Sequence, residues 1–142
     1  MTGSRPRISY WLLLGDFVFY VALFIFAVIW RRDAGCVLGG VIAVPGFVLW
    51  FIAKLQLGSS FTARPEAREL VTHGLYSRIR HPVYFFSTLA LLGIAICLRS
   101  VYFYAFLGIA VAGQVWRIRL EEKVLQGTFG QAYLDYKGRT WF

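Results

Sequence analysis

The sequence predicts an all-α integral membrane protein with about four transmembrane helices, the last two forming a hairpin, followed by a cytoplasmic C-terminal helix. Three observations predict it. The apolar residues make up 58% of the 142-residue chain and the charged ones only 15%, against roughly 25% charged residues in a soluble domain. The charges are segregated: residues 10–30 hold one, Asp16, and residues 34–53, 82–98 and 101–116 hold none. The basic residues are also one-sided. Arg5, Arg7, Lys54, Arg64, Arg68, Arg78, Arg80, Arg117, Arg119, Lys123, Lys137 and Arg139 flank one side of the four runs, while Arg31, Arg32 and Arg99 flank the other.

The runs 10–30 and 34–53 are long enough, at 1.5 Å per residue, to cross a hydrocarbon core of about 30 Å as helices. Helices are required there because lipid offers no partner to an open backbone. Runs 82–98 and 101–116 are shorter. The fourth span extends to residue 119 by snorkelling of Arg117 and Arg119, and Arg99-Ser100 supplies the tight turn of the hairpin. Run 10–30 is too long for a signal-peptide core and is followed by Arg31-Arg32-Asp33 where a small-residue cleavage site belongs, so it stays in the mature protein. The positive-inside rule then places both termini, segment 58–81 and segment 120–142 in the cytoplasm. All 142 residues form a single membrane domain. The composition excludes disorder, and the net charge of +8 is explained by lipid headgroups rather than nucleic acid.

Asp16 is an intramembrane carboxylate and so a functional candidate; the plainer reading, favoured here, is that it lies near the cytoplasmic end of its span and reaches water or a basic partner. Gly39, Gly40, Pro45 and Gly46 in the second span point to close helix packing or a kink. Cys36 and Cys97 lie near the same end of their helices and are either a disulfide or, the commoner use, small buried apolar residues. The spacing of His73 and His81, with no third ligand near them, does not suit a metal.

Chemistry is concentrated in two cytoplasmic stretches. In Leu70-Val71-Thr72-His73-Gly74-Leu75-Tyr76-Ser77-Arg78-Ile79-Arg80-His81-Pro82-Val83-Tyr84, Gly74 supplies a turn and Pro82 a first-turn helix residue. His81 and the free N–H groups of the third helix then face one interfacial volume, and Arg78 and Arg80 beside them favour an anionic group. The plainer reading makes Arg78 and Arg80 headgroup anchors and His81 a helix cap. In the second stretch, Arg117, Glu121, Leu125, Phe129 and Tyr133 recur at four-residue spacing and line one face if the helix is continuous; Gly127 and Gly130 make a break near them equally plausible. The adjacent carboxylates Glu121 and Glu122 bind something or pair with Arg117, Arg119 or Lys123. The hairpin brings both stretches together.

These motifs, Leu-Val-Thr-x-Gly-Leu-Tyr-Ser-x-x-Arg-His-Pro-x-Tyr and, after a hydrophobic hairpin, Arg-x-x-x-Glu-Glu-x-x-Leu-x-x-x-Phe-Gly-x-x-Tyr-x-x-Tyr, resemble those of the isoprenylcysteine carboxyl methyltransferases and their phospholipid methyltransferase relatives. The resemblance covers residues 70–139; relatives often carry Gly two residues after the motif Tyr, where this chain has Phe86. It implies an integral membrane enzyme that takes S-adenosylmethionine from the cytosol, releases S-adenosylhomocysteine and methylates a lipophilic acceptor reached from the bilayer. Carried over residue by residue, it implies a cofactor pocket of Tyr76, His81, Pro82, Tyr84, Glu121 and Glu122, closed by Tyr133 and Tyr136. Methyl transfer from a sulfonium needs alignment and exclusion of water more than acid–base help. A carboxylate acceptor needs a guide such as Arg80 or Arg117, whereas an amine acceptor must lose a proton, to His81, Glu121 or a tyrosine. Arg80, His81, Arg117 and Glu121 are therefore the catalytic candidates. An NADPH-dependent reductase of the steroid or sterol kind and a non-enzymatic membrane scaffold are the alternatives.

Overall fold

The computed structural model describes residues 10–31, 33–57 and 70–141, with side chains from residue 15 onward except Asp16. Asp16's side-chain environment and the basic residues Arg5, Arg7, Arg32, Arg64 and Arg68 lie outside the described residues. The described chain is helical: α1 (Tyr10–Trp30), α2 (Ala34–Leu57), α3 (Pro82–Leu98), α4 (Val101–Phe129) and α5 (Gln131–Arg139), with one 3-10 turn at Gly74–Ser77. Helices α2 and α4 are long and apolar enough to cross a membrane, and Phe17–Trp30 of α1 and all of α3 are shorter apolar helices.

Most helix ends follow from local chemistry. Pro82 occupies the first turn of α3, where a missing N–H costs nothing. Arg99 closes α3 in the left-handed conformation (φ 47°) and donates its N–H to Ala95 O at 2.8 Å, and α4 begins two residues later. The hairpin turn is the predicted one. One boundary differs from expectation. Helix α2 continues to Leu57, which takes Lys54 inside its last turn, buried, with Nζ 4.4 Å from the Trp50 ring centroid; the apolar stem and the aromatic face make this position favourable for the cation. Helix α4 runs unbroken through both glutamates to Phe129, and of the two alternatives for this stretch the structure has the break, at Gly130, whose φ of +51° only glycine adopts without strain. Gly127 stays within the helix, and the five-residue face from Arg117 to Tyr133 is divided between α4 and α5.

The tightest packing joins α2 to α3. A Cβ on Gly46 would lie 2.8 Å from Ala90 N, and one on Gly39 would strike Gly93 O, so these glycines allow the backbones to approach as small residues do between membrane helices. Gly40 is different: a Cβ there would meet only the Phe24 ring, at 3.7 Å. Ala27, Cys36, Ala43, Ile94 and Cys97 form the core cluster at this junction. Cys36 and Cys97 are joined as a disulfide (S–S 1.97 Å) across 61 residues of sequence, which corrects the expectation of ordinary buried cysteines. The reason is tertiary, since the glycine contacts bring the two helices close enough for the sulfurs to meet. No residue of α4 is buried. Its apolar surface suits lipid, and a polar ladder fastens it to α3: Thr88 Oγ1 donates to Gln114 Oε1 at 2.7 Å and Gln114 Nε2 donates to Ser87 Oγ at 3.1 Å. The ladder sits one turn deeper than the polar cluster described next and fixes the register of α4 at that point.

Candidate active site

The motif before α3 is held from two sides. Gly74 takes φ +59°, which lets the chain turn, and Leu75 N then donates to Gln56 Oε1 at the end of α2 (2.8 Å). On the other side Trp141 N donates to Arg78 O (2.7 Å) and Arg80 N donates to Trp141 O (3.2 Å), a parallel bridge between the motif and the residues after α5. Tyr136 on α5 adds a hydrogen bond from its hydroxyl to Tyr76 O (2.7 Å). Thus α5 folds back onto the start of α3, beside the C-terminal part of α4.

Glu121 and Glu122 are about 100° apart around α4 and serve two clusters. Glu122 Oε1 accepts from Arg80 Nη1 at 2.6 Å and lies 3.4 Å from His81 Nε2, while its Oε2 accepts from Lys137 Nζ at 3.0 Å. Arg80 also donates through Nε to Thr140 Oγ1 (3.3 Å) and through Nη2 to Lys137 O (3.4 Å), so its fork is spread over α4 and α5. Glu121 Oε1 accepts from Tyr84 Oη at 2.5 Å and from Arg117 Nε at 3.1 Å. The predicted Arg117–Glu121 pair is present. His81 precedes α3 but makes no side-chain cap, which corrects the capping alternative: its ring turns to Glu122 instead. Tyr133 is fully buried, and its hydroxyl has no hydrogen-bond partner among the described residues.

The structure therefore brings Tyr76, Arg80, His81, Pro82, Tyr84, Arg117, Glu121, Glu122, Tyr133 and Tyr136 to one end of the bundle, where three elements meet. Arg80 is ion-paired to Glu122 at 2.6 Å. Gln56, Lys137 and Thr140 were not predicted; the spacing of Tyr133, Tyr136, Lys137 and Thr140, one face of a short helix, is the signal that marks the last two.

Electrostatics follow from this arrangement. Burial raises the Glu122 carboxyl, but hydrogen bonds from Arg80 and Lys137 outweigh it and hold the group down to about 2. Burial lowers His81 below its ordinary value despite the opposing bond to Glu122, so the imidazole is neutral at pH 7. Burial pushes Tyr133 and Tyr136 up to about 12 and Tyr76 higher still, so all three phenols keep their protons. Both Glu122 and His81 bind protons less readily when folded than when unfolded. The stability each contributes is complete above its unfolded value and is lost as pH falls through the folded one. Thermal unfolding in detergent should therefore show the midpoint falling first below about pH 6.5, from His81, and again below about 4.5, from Glu122. His81→Gln is expected to abolish the first step and Glu122→Gln the second; a midpoint flat from pH 7 to 3 contradicts the assignment.

Comparison with known proteins agrees with this geometry. A Protein-S-isoprenylcysteine O-methyltransferase of Dictyostelium discoideum is 29% identical over 147 residues, covering 94% of this chain and 55% of the relative. The solved structure of a eukaryotic intramembrane Ras methyltransferase, the isoprenylcysteine carboxyl methyltransferase, superposes with a TM-score of 0.69 at 24% identity, over 99% of this chain and 52% of that one. This likeness shows a shared membrane fold, and the chain spans about half the length of both proteins. The phospholipid methyltransferase family matches residues 33–132, from the start of α2 into α5, and on that match, which takes in the first motif stretch and the second as far as residue 132, the chain belongs to the phospholipid methyltransferase family.

Proposed function

We propose that the protein is a membrane methyltransferase that uses S-adenosylmethionine to methylate a lipophilic acceptor at the membrane–cytosol interface, with four spans and both termini cytoplasmic. The observation that carries this reading is the meeting of the Tyr84–Glu121–Arg117 and Arg80–Glu122–His81 clusters beside Tyr133. The unpartnered Tyr133 hydroxyl and the two half-buried carboxylates fit a cationic, hydroxyl-bearing and adenine-bearing molecule: a carboxylate has about four acceptor sites, so each can take a further hydrogen bond. When bound, the donor supplies a methyl group already activated on a sulfonium.

The chain's own residues then have three tasks. Glu121 and Glu122 accept hydrogen bonds from amino or ribose groups, while Tyr76, Tyr84, Tyr133 and Tyr136 offer ring faces for packing and Pro82 shapes the wall; aromatic faces also favour a cation. Arg117, half-buried at the membrane end of the site, orients an anionic acceptor; for an amine acceptor, the neutral His81 takes the proton. The buried start of α3 excludes water around the reacting atoms. Membership of a methyltransferase family and the likeness to two methyltransferases support group transfer over the reductase and scaffold alternatives.

Calorimetry with S-adenosylhomocysteine tests the reading. Binding to the wild-type protein is expected, with a loss of at least about tenfold in His81→Ala and Glu121→Ala, the effect of removing one charged or polar contact. Absence of binding to the wild type, or binding of NADPH instead, refutes the proposal.

A further inference from the structure

At the end of the bundle opposite the methyltransferase site, about 25 Å away along α3, lies a cleft of about 500 Å³ between the end of α1 and the α3–α4 hairpin. Its size falls within the roughly 300–1,000 Å³ of small-molecule sites. Phe26, Phe103 and Phe106 form apolar walls, and Arg31, Arg99 and Ser100 form a polar rim. Trp30 and Tyr102 also line it and are largely exposed, at 70% and 84%, as aromatic residues are at a membrane–water boundary.

Among the described residues, the acid at this end is Asp33. Its Oδ1 accepts from Arg99 Nη2 at 3.3 Å and caps α2 by accepting from Cys36 N at 3.0 Å. One carboxylate therefore faces two guanidinium groups, leaving the rim net positive. In a bilayer a gap of this size between helices does not stay empty, because its walls lose their dispersion contacts. The apolar walls exclude water, so a hydrocarbon chain is the matter available to fill them. The positive rim directly above favours a phosphate over a neutral headgroup.

We propose that the cleft binds one anionic phospholipid, its chain against Phe26, Phe103 and Phe106 and its phosphate at Arg31 and Arg99. The site is independent of the proposed methyl transfer, since it shares no residue with that site. Bound there, the lipid fastens α1 to the hairpin where the protein itself leaves them apart.

The test offers the purified full chain, in neutral detergent, equimolar phosphatidylglycerol and phosphatidylcholine of matched chains and counts retained lipid by native mass spectrometry. One phosphatidylglycerol retained in preference to phosphatidylcholine is expected. Arg31→Gln should reduce that preference about fivefold, the effect of removing one interfacial charge. Asp33→Asn keeps an N-cap residue but frees Arg99, and should increase the preference. Equal retention of the two lipids by the wild type overturns the proposal, as does an unchanged preference in both variants, which assigns the anionic lipid to the basic residues at the other end. Competition by glycerol phosphate as strong as by the intact lipid overturns it in favour of a headgroup-only anion site.

Discussion

Glu122→Ala is expected to lower stability by about 2–3 kcal/mol and the proposed methyl transfer by about 100-fold. Removing one partner of a buried ion pair costs about 3–5 kcal/mol because the other charge is left unpaired. The Arg80 side chain is only 11% exposed, so it cannot recover its hydration, although Thr140 and the Lys137 carbonyl keep part of its fork satisfied and reduce the cost. The larger effect is geometric. Glu122 holds Arg80 and His81, which lead into α3, and Lys137 from α5 against α4, and without it these segments lose a contact that fixes their separation. A displacement of about 1 Å is enough for a loss near 100-fold in an aligned transfer. Arg80→Ala together with Glu122→Ala should cost at least about 1 kcal/mol less than the sum of the single changes, since the pair is removed as a unit. Lys137→Ala, at the exposed side of the cluster, should cost under about 1 kcal/mol. Thermal unfolding in detergent and transfer of a tritiated methyl group measure both quantities; strictly additive costs would refute the coupling.

These contacts also show what the sequence could and could not reveal. The limits of α3 and the hairpin turn were legible because Pro82 and Arg99-Ser100 punctuate an otherwise uncharged run. The site residues were legible as motifs, since polar and aromatic types at fixed spacing beside a span have few structural uses. The continuation of α4 past residue 119 was legible from the four-residue spacing, but its end was not, because two glycines three positions apart offer the same break. Gly127 and Gly130 look alike in composition, and only the turn needed to return Tyr133 to Arg80 and Glu122 decides which takes the positive φ. Gln56, Lys137 and Thr140 act through residues 15 or more positions away, and of the three only Lys137 and Thr140 share a helix-face spacing with the motif tyrosines. The cysteine pair depends on α2 and α3 approaching at their glycines, a tertiary fact that spacing of 61 residues does not contain.

Gly93→Leu is expected to be the most damaging single change outside the polar site. A Cβ at this position would lie 2.5 Å from Ala43 N and 2.5 Å from Gly39 O, and both are backbone atoms that cannot rotate away. Accommodation therefore requires α2 and α3 to separate along their length. Ordinary overpacking costs about 1–3 kcal/mol, and a whole side chain against backbone on both sides should exceed about 3 kcal/mol. Helix propensity acts in the opposite direction, since leaving glycine gains about 1 kcal/mol, so packing decides the sign. Gly113→Leu isolates that opposing effect: a Cβ there has nothing within 4 Å, and the exposed apolar face of α4 should accept the new side chain with an unchanged or slightly higher unfolding midpoint. The damage at Gly93 should reach the site as well. Gln56 at the end of α2 receives Leu75 N, so moving α2 from α3 pulls on the Gly74–Ser77 turn and on Tyr76, which Tyr136 binds. Gly93→Leu should therefore weaken S-adenosylhomocysteine binding although no site residue is altered, and Gly113→Leu should leave it intact. Equal midpoints for the two variants would refute the close α2–α3 approach on which the position of the site rests.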